Sequence, residues 1–208
     1  GHYIAEIGQR MSHVLKDGSV VYLNADSDIE VNSNREVRRV KLVKGQAYFA
    51  VVHEPVRPFI VEAGEIKIEV MGTAFDVDLL GDQLVISVYE GILKVYANNE
   101  RTLTKGQGAV IQGGYLVNEF FVVNQIPSWR TGWLEIKGSA LRDVVLEFQR
   151  YSDKQIRVIG QGDRVITGRF FLDTPTKSLL SIATSVGANL VETEQAIILC
   201  TRDDMCTE

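Results

Sequence analysis

Residues 66–79 read IKIEVMGTAFDVDL, with apolar side chains at every second position on either side of Gly72-Thr73. Side chains on a strand point alternately to opposite faces, so this spacing predicts two strands that each bury one face. The stretch therefore predicts a strand–turn–strand unit of a β-sheet.

The same alternation extends from about residue 19 to residue 123, and we find no helical period before residue 125. Residues 1–123 are therefore predicted to form an all-β domain, a twisted and largely antiparallel meander. Its other apolar sets are Val21 and Leu23; Ala47, Phe49 and Val51; Val85 and Val88; and Leu93, Val95 and Ala97. Turn-forming dipeptides precede several runs, at Asp17-Gly18, Lys44-Gly45, Glu90-Gly91 and Lys105-Gly106.

The pattern changes after residues 124–132, which we interpret as a linker. An apolar helical stripe follows Ser139 as N-cap, and a second helix is predicted from Thr174-Pro175 to Gly187. Strand-like segments separate and follow these helices. Residues 133–200 are thus predicted to form a small α/β domain of order β-α-β-β-α-β-β, followed by a tail at 201–208. The stripe consists of Leu141, Val144, Val145, Phe148 and Tyr151.

Composition narrows the function classes. The 208 residues carry 22 Lys plus Arg and 27 Asp plus Glu, for a net charge of −5. Nucleic-acid binding depends on clustered cations, so this balance argues against it. The longest apolar run, 47–52, is far shorter than the ~20 residues of a membrane-spanning helix. No signal peptide opens the sequence, and we expect a fragment of a longer protein.

No catalytic, cofactor or metal site is predicted. His2, His13 and His53 lie far apart or near the start, and the sequence has no Gly-x-Ser-x-Gly motif. The Gly160-Gln161-Gly162 segment lacks the rest of a dinucleotide fingerprint and is interpreted as a hairpin turn. Two cysteines imply no disulfide framework. We expect Cys200 to be buried at a strand end and Cys206 to lie in a frayed tail, and the redox state of the two stays open.

The densest basic stretch spans residues 35–44, with Arg35, Arg38, Arg39, Lys41 and Lys44. Charges on both faces of a strand are typical of a protected sheet edge, which we favour over a docking site for an acidic partner.

Several segments together resemble the FecR family of bacterial sigma-factor regulators. The residues that carry the resemblance are Asp17-Gly18-Ser19, Val21, Leu23-Asn24 and Ser27; Leu42, Gly45, Ala47, Tyr48-Phe49 and Val51; Arg57-Pro58-Phe59 and Val61; Gly72-Thr73, Phe75 and Val77; Glu90-Gly91 and Val95; and Leu103, Gly106 and Gln107. Gln46, Ala50 and Asp76 depart from the family pattern.

The C-terminal part is similar to the STN domain of secretins and TonB-dependent transducers. Its matching residues are Trp129-Arg130, Gly132, Leu134, Leu141, Val144 to Tyr151, Thr167-Gly168, Phe170 and Thr174 to Gly187. The resemblance implies the periplasmic portion of a single-pass inner-membrane regulator without enzymatic activity. Such a regulator receives the signalling domain of an outer-membrane siderophore transducer. It controls an iron-uptake ECF sigma factor through a cytoplasmic N-terminal segment, which this sequence lacks.

The partner is expected at sheet edges of the C-terminal part, where an extended segment can add main-chain hydrogen bonds. The edges predicted are 165–171 and 196–200. Adjacent Phe170 and Phe171 alternate, so one of them is exposed. The predicted partner-binding residues are Val165, Arg169, Phe171, Leu172, Ile197, Ile198 and Leu199.

Two other functions stay open. Tyrosines on predicted strands suit an envelope protein that binds glycans or small ligands, although core packing explains them equally well. A hydrolase that uses His13 or His53 ranks third. The tyrosines are Tyr22, Tyr48, Tyr89, Tyr96 and Tyr115.

Overall fold

The computed structural model describes residues 1–122 and 124–201. The chain divides into two compact units, Gly1–Pro127 and Ser128–Glu208. Strands dominate the first unit, and helices occur in the second.

Within residues 1–122 the first unit contains strands and no helix, as the alternation predicted. The strands are β1 His2–Ala5, β2 Met11–Val14, β3 Val20–Leu23, β4 Ser27–Ser33, β5 Arg38–Ala50, β6 Phe59–Ala63, β7 Ile66–Val70, β8 Ala74–Leu80, β9 Gln83–Glu90, β10 Ile92–Tyr96, β11 Glu100–Thr104, β12 Gln107–Gln112 and β13 Tyr115–Phe121.

The long strand β5 belongs to both halves of a β-sandwich. One half has the order β1-β4-β5-β6-β7-β10-β11, and the other has the order β2-β3-β5-β8-β9-β12-β13. The prediction of a meander is wrong, because β6 runs parallel to β5, and β8, β10 and β12 pair with strands that are not their sequence neighbours. A period of two shows which residues form strands but not which strands pair, so it could not distinguish a meander from this order.

Gly45 is where β5 passes from one half to the other. Lys44 pairs with β4, whereas Gly45 already pairs with Leu79 of β8. Gly45 has φ 82°, and a Cβ there would lie 2.3 Å from Ser27 Oγ and 2.6 Å from the Asp26 carbonyl oxygen. Only glycine fits both the conformation and the close approach.

The core lies between the two halves and consists of the alternating residues. Phe49 of β5 packs on Phe59 and Phe75, with ring centroids 5.9 and 5.1 Å away. The set proposed for β9 needs one correction. Leu84, Ile86 and Val88 are buried, and Val85 points to the other face, because a strand alternates strictly by two.

The predicted edge strand at 35–44 is wrong as well. Strand β5 is paired on both sides along its length, and its first residue, Arg38, is only 1% exposed. The Arg38 guanidinium donates to Asp17 Oδ2 at 2.8 Å and to the carbonyl oxygens of Val52 and Arg57 at 2.9 and 3.0 Å. It also lies 5.5 Å from the ring centroid of Phe59. We call this set of contacts the Arg38 clamp.

The clamp links two of the motifs quoted in the sequence, Asp17-Gly18-Ser19 and Arg57-Pro58-Phe59, because Arg38 donates to a group in each. Asp17 accepts hydrogen bonds from the amide and hydroxyl of Ser19 at 3.1 and 2.7 Å, and Ser19 Oγ accepts from the Val52 amide at 3.1 Å. Burial raises the pKa of Asp17, but the Ser19 hydrogen bonds and the Arg38 guanidinium outweigh it and hold the pKa below its usual value. The β2–β3 turn, the start of β5 and the segment at 52–58 are thereby joined.

The second unit has the element order predicted from the sequence, preceded by a 3-10 turn at Ser128–Thr131. Strands β14 and β16 form a two-stranded sheet, and β15, β18 and β17 form a three-stranded sheet in that order. The elements are β14 Trp133–Ala140, α1 Leu141–Gln149, β15 Gln155–Ile159, β16 Val165–Phe171, α2 Pro175–Ser185, β17 Asn189–Glu192 and β18 Ala196–Cys200.

Both helices bury the predicted faces. Leu141, Val144, Val145 and Phe148 of α1 are buried, as are Leu179, Ile182 and Ala183 of α2. The Ser139 cap is wrong, because Ser139 lies in β14 and Ala140 precedes the helix. The hairpin turn at 160–162 is wrong too, since β15 and β16 belong to different sheets.

Cys200 ends β18 and is 1% exposed, as expected, and it is disulfide-bonded, a state that the sequence left open. The short-loop argument concerns how much a bridge stabilises the fold, not whether it forms. Cys206 and the rest of the tail lie outside the described residues. No helix in the described part of the chain is long and apolar enough to span a membrane.

Candidate partner-binding site

The two-stranded sheet of the second unit presents one face rich in large side chains. Strands β14 and β16 are antiparallel, with Trp133 opposite Phe171 and Glu135 opposite Arg169. Because side chains alternate, these four residues share one face. Ile136 and Ile166 point to the other face and are buried, at 4% and 2% exposure.

Trp133, Arg169 and Phe171 form a contiguous cluster, which we call the aromatic–arginine patch. The guanidinium carbon of Arg169 lies 4.5 Å from the Trp133 ring centroid, and the Trp133 and Phe171 rings meet edge to face with centroids 5.0 Å apart. Cation–π and aromatic pairs of this geometry each contribute about 0.5–1.5 kcal/mol. Arg169 is thus held in a defined position while its side chain stays exposed.

Strand β16 also has an open edge. Among the strands of residues 1–122 and 124–201, β16 pairs only with β14. Main-chain N–H and C=O groups along an unpaired edge can accept an added strand. The patch and this edge lie on the same strand, so an added segment would meet both.

Three of the seven predicted partner-binding residues lie on this surface. Val165 and Phe171 are 67% and 37% exposed, and Arg169 is exposed. Of the adjacent phenylalanines, Phe171 is the more exposed. Phe170 lies on the opposite face, where its ring comes within 2.9 Å of a Cβ position on Gly168.

The other four residues do not join them. Leu172, Ile197 and Leu199 are at most 1% exposed, and Ile198 is only partly exposed. The premise that β18 is an edge strand is wrong, because β18 pairs with β15 on one side and β17 on the other. Its nearly continuous apolar run is typical of a strand covered on both faces.

Sequence reasoning missed Trp133, the centre of the patch. It lies on β14, more than 30 residues before its partner strand, and nothing in the local pattern links the two. The alternation of Trp133, Glu135 and Lys137 was the available signal for an outward face.

The five tyrosines fall into different environments. Tyr22, Tyr48 and Tyr89 pack on one another, with centroids 5.8 and 5.7 Å apart, and Tyr48 is 5% exposed. Burial, together with the charge of Asp76, raises the pKa of Tyr89. Tyr96 lies under the Lys67 ammonium, at 4.9 Å. Only Tyr115, which is 63% exposed, has a largely free ring among these five.

The histidines have structural neighbours. His2 Nε2 lies 2.6 Å from Asp28 Oδ1, and the His13 ring lies 4.3 Å from the Tyr3 ring centroid. Within the described residues, no three His, Cys, Asp or Glu side chains are grouped so that they could hold a metal ion.

Comparison with known proteins finds a family match within the first unit. Residues 2–94 match the family model described as FecR protein. No curated protein sequence matches the chain significantly.

Two crystal structures of a proposed anti-sigma factor from Parabacteroides distasonis resemble the whole fold. One has a TM-score of 0.85 at 22% identity and covers 96% of this chain and 98% of its own. The other has a TM-score of 0.86 at 21% identity and covers 98% of this chain and 99% of its own. At these identities the likeness establishes a shared fold. The family match by itself bears out the sequence-based resemblance to FecR proteins over residues 2–94.

Proposed function

We propose that this chain is the signal-receiving periplasmic region of an anti-sigma regulator, and that it acts by binding another protein. The FecR-type region at 2–94 supports a regulatory role, as does the fold shared with a proposed anti-sigma factor. The order of elements in the second unit supports its assignment as an STN-like domain. The proposal assigns no catalytic step to the chain.

The proposed partner is the signalling domain of a TonB-dependent outer-membrane siderophore transducer. The observation that supports this location for the binding site is the open edge of β16 beside the aromatic–arginine patch. An extended segment of the partner adds to β16 through main-chain hydrogen bonds. These bonds contribute affinity whatever the amino-acid sequence of that segment. The patch supplies specificity, because Arg169 suits a carboxylate and the exposed rings suit an apolar side chain.

The message then passes inward to an ECF sigma factor for iron uptake, through a cytoplasmic segment of the regulator that precedes this region. In this arrangement the chain is the periplasmic part of a single-pass inner-membrane protein. The second unit is the receiver.

Binding of the intact chain to purified transducer signalling domains, measured by calorimetry, tests the proposal. Phe171→Asp and Arg169→Glu are expected to weaken binding by about tenfold or more, as loss of a central anchor does. Leu180→Asp is the matched control, since Leu180 is an exposed apolar residue of α2 at 53% exposure. All three variants should stay folded, with thermal midpoints lowered by no more than a few degrees, the loss expected from one exposed aromatic or cation–π contact.

If the parent chain does not bind the signalling domains at concentrations of tens of micromolar, the proposed function is wrong. Binding that Leu180→Asp abolishes, and that the patch variants leave intact, would keep the function and move the site away from β16.

A further inference from the structure

The strongest unassigned feature is a cleft at one end of the β-sandwich. Four turns meet there, and they surround a cavity of about 340 Å³. A second cavity of about 110 Å³ opens between β11 and β13. The two share Ala97, Ile111 and Gly114, so they adjoin, and we call them the inner and outer parts of the cleft.

The inner part reaches the core. Strands β11 and β13 are the last strands of their halves, so no other strand of residues 1–122 and 124–201 pairs with their outer edges. Its floor consists of Val95, Leu103, Ala109 and Ile111, each at most 4% exposed. A pocket with an apolar floor and a few polar groups at its mouth is the usual form of a small-molecule site.

The rim is polar and held in place. The Asn98 amide donates to the Gly114 carbonyl oxygen at 3.0 Å, which ties two of the turns together. Gln112 Nε2 donates to Asp82 Oδ2 at 2.6 Å and fixes that carboxylate beside the cavity. A site whose rim is already ordered loses less entropy when a ligand binds.

Glycines keep the mouth open. Gly64 and Gly113 line the outer cavity, and no atom lies within 4 Å of a Cβ position on either. Both have positive φ, 59° and 57°, which side chains rarely adopt. A ligand can therefore approach the main chain of these turns.

The lining selects a class of ligand. Tyr115 offers an exposed ring next to the apolar floor, and Asn99 lies beside it. Glu65 and Asp82 line the outer part and outnumber the single cation, Arg101, which lines the inner part. The lining therefore carries a net negative charge and disfavours an anion. A wholly apolar ligand would leave these polar groups desolvated without partners. A neutral sugar ring satisfies both parts, because its C–H face stacks on aromatic and apolar surface and its hydroxyls pair with amides and carboxylates.

We propose that this cleft binds a neutral carbohydrate unit. The site is separate from β16 and does not rest on the proposed function. Of the five tyrosines considered in the sequence, it uses the one whose ring the fold leaves exposed.

Amide chemical shifts of the intact chain, recorded with millimolar glucose, maltose, chitobiose and glucuronate, test the proposal. At least one neutral sugar is expected to shift residues 97–99 and 111–116, and glucuronate is expected to bind more weakly. Tyr115→Ala should reduce the affinity by about tenfold. Ala97→Phe should abolish binding, because Ala97 borders both parts of the cleft.

Phe121→Ala is the control, since Phe121 is an aromatic residue of the same strand at 85% exposure and does not line the cleft. It should bind like the parent. The proposal is overturned if no neutral sugar shifts these residues, if binding survives both cleft variants, or if glucuronate binds as tightly as glucose.

Discussion

Replacing Arg38 by methionine should remove most of the stability that the Arg38 clamp gives to the first unit. The substitution leaves the Asp17 carboxylate without its cation and leaves the carbonyl oxygens of Val52 and Arg57 without the guanidinium donor. Breaking a buried ion pair by removing one partner costs about 3–5 kcal/mol. For a unit of this size, that loss lowers the thermal midpoint by roughly 10–20 °C.

Arg39→Met is the matched control, because Arg39 is the next residue of β5 and its side chain is 44% exposed in an ion pair with Glu62. Exposed pairs contribute about 0–1 kcal/mol. Urea unfolding of the intact chain gives both free energies. A second comparison uses Asp17→Asn and the double variant Arg38→Met/Asp17→Asn. The double variant should lose less unfolding free energy than the two single variants together, because each single change leaves the other partner buried without its counter-charge.

A loss below about 1 kcal/mol for Arg38→Met would refute this reasoning, because the buried carbonyls and carboxylate would then be satisfied without the guanidinium. Equal losses for Arg38→Met and Arg39→Met would refute it as well, since burial would not distinguish the two arginines.

Three further predictions concern single sites. The pKa of Asp17 lies below its ordinary value of 3.8, so the ionised carboxylate contributes fully to stability above about pH 4. That contribution is lost as pH falls through the folded-state pKa. Asp17→Asn should therefore lower stability at pH 7 and flatten the decline of the unfolding free energy between about pH 4 and pH 2. Gly45→Ala should cost more than about 2 kcal/mol in urea unfolding, whereas Gly64→Ala, which has positive φ but open space, should cost about 1 kcal/mol; equal costs would show that φ alone matters. Ile197→Asp should lower the thermal midpoint by several degrees or prevent folding, because Ile197 is 1% exposed, while Phe171→Asp should leave it nearly unchanged; the reverse order in calorimetric scans would contradict the assigned burial.

The alternation of apolar residues predicted the strands of the first unit because each strand buries one face, and a period of two is visible locally. Pairing is not local. Gly45 pairs with Leu79, and Trp133 pairs with Phe171, so neither the division of β5 between two halves nor the aromatic–arginine patch could be derived from neighbouring residues. Arg38 looked like a surface charge for the same reason, since its partner Asp17 lies 21 residues away.

The error over β18 was avoidable from the sequence. Residues 196–200 read AIILC, apolar at every position, whereas residues 165–171 of β16 read VITGRFF, with the polar Thr167 and Arg169 on one face. A strand covered on both faces shows the first pattern and a strand with one solvated face shows the second. The polar residues on one face therefore distinguish β16, which has a solvated face, from the central strand β18.

The Arg38 clamp also sets the register of β5, which matters more for the fold than the energy of one ion pair. A shift of one residue would reverse every side chain of the strand, placing Arg39 and Lys41 in the core and Val40 and Leu42 outside. Arg38 reaches its acceptors on Asp17, Val52 and Arg57 only in the native register, because three fixed groups must meet one planar guanidinium. Hydrophobic residues in place of both Arg38 and Asp17 could match the stability of the pair but would accept more than one alignment. The buried charge therefore selects one register of β5. Arg38→Met should broaden the amide resonances of β5 even where the remaining stability keeps the unit folded.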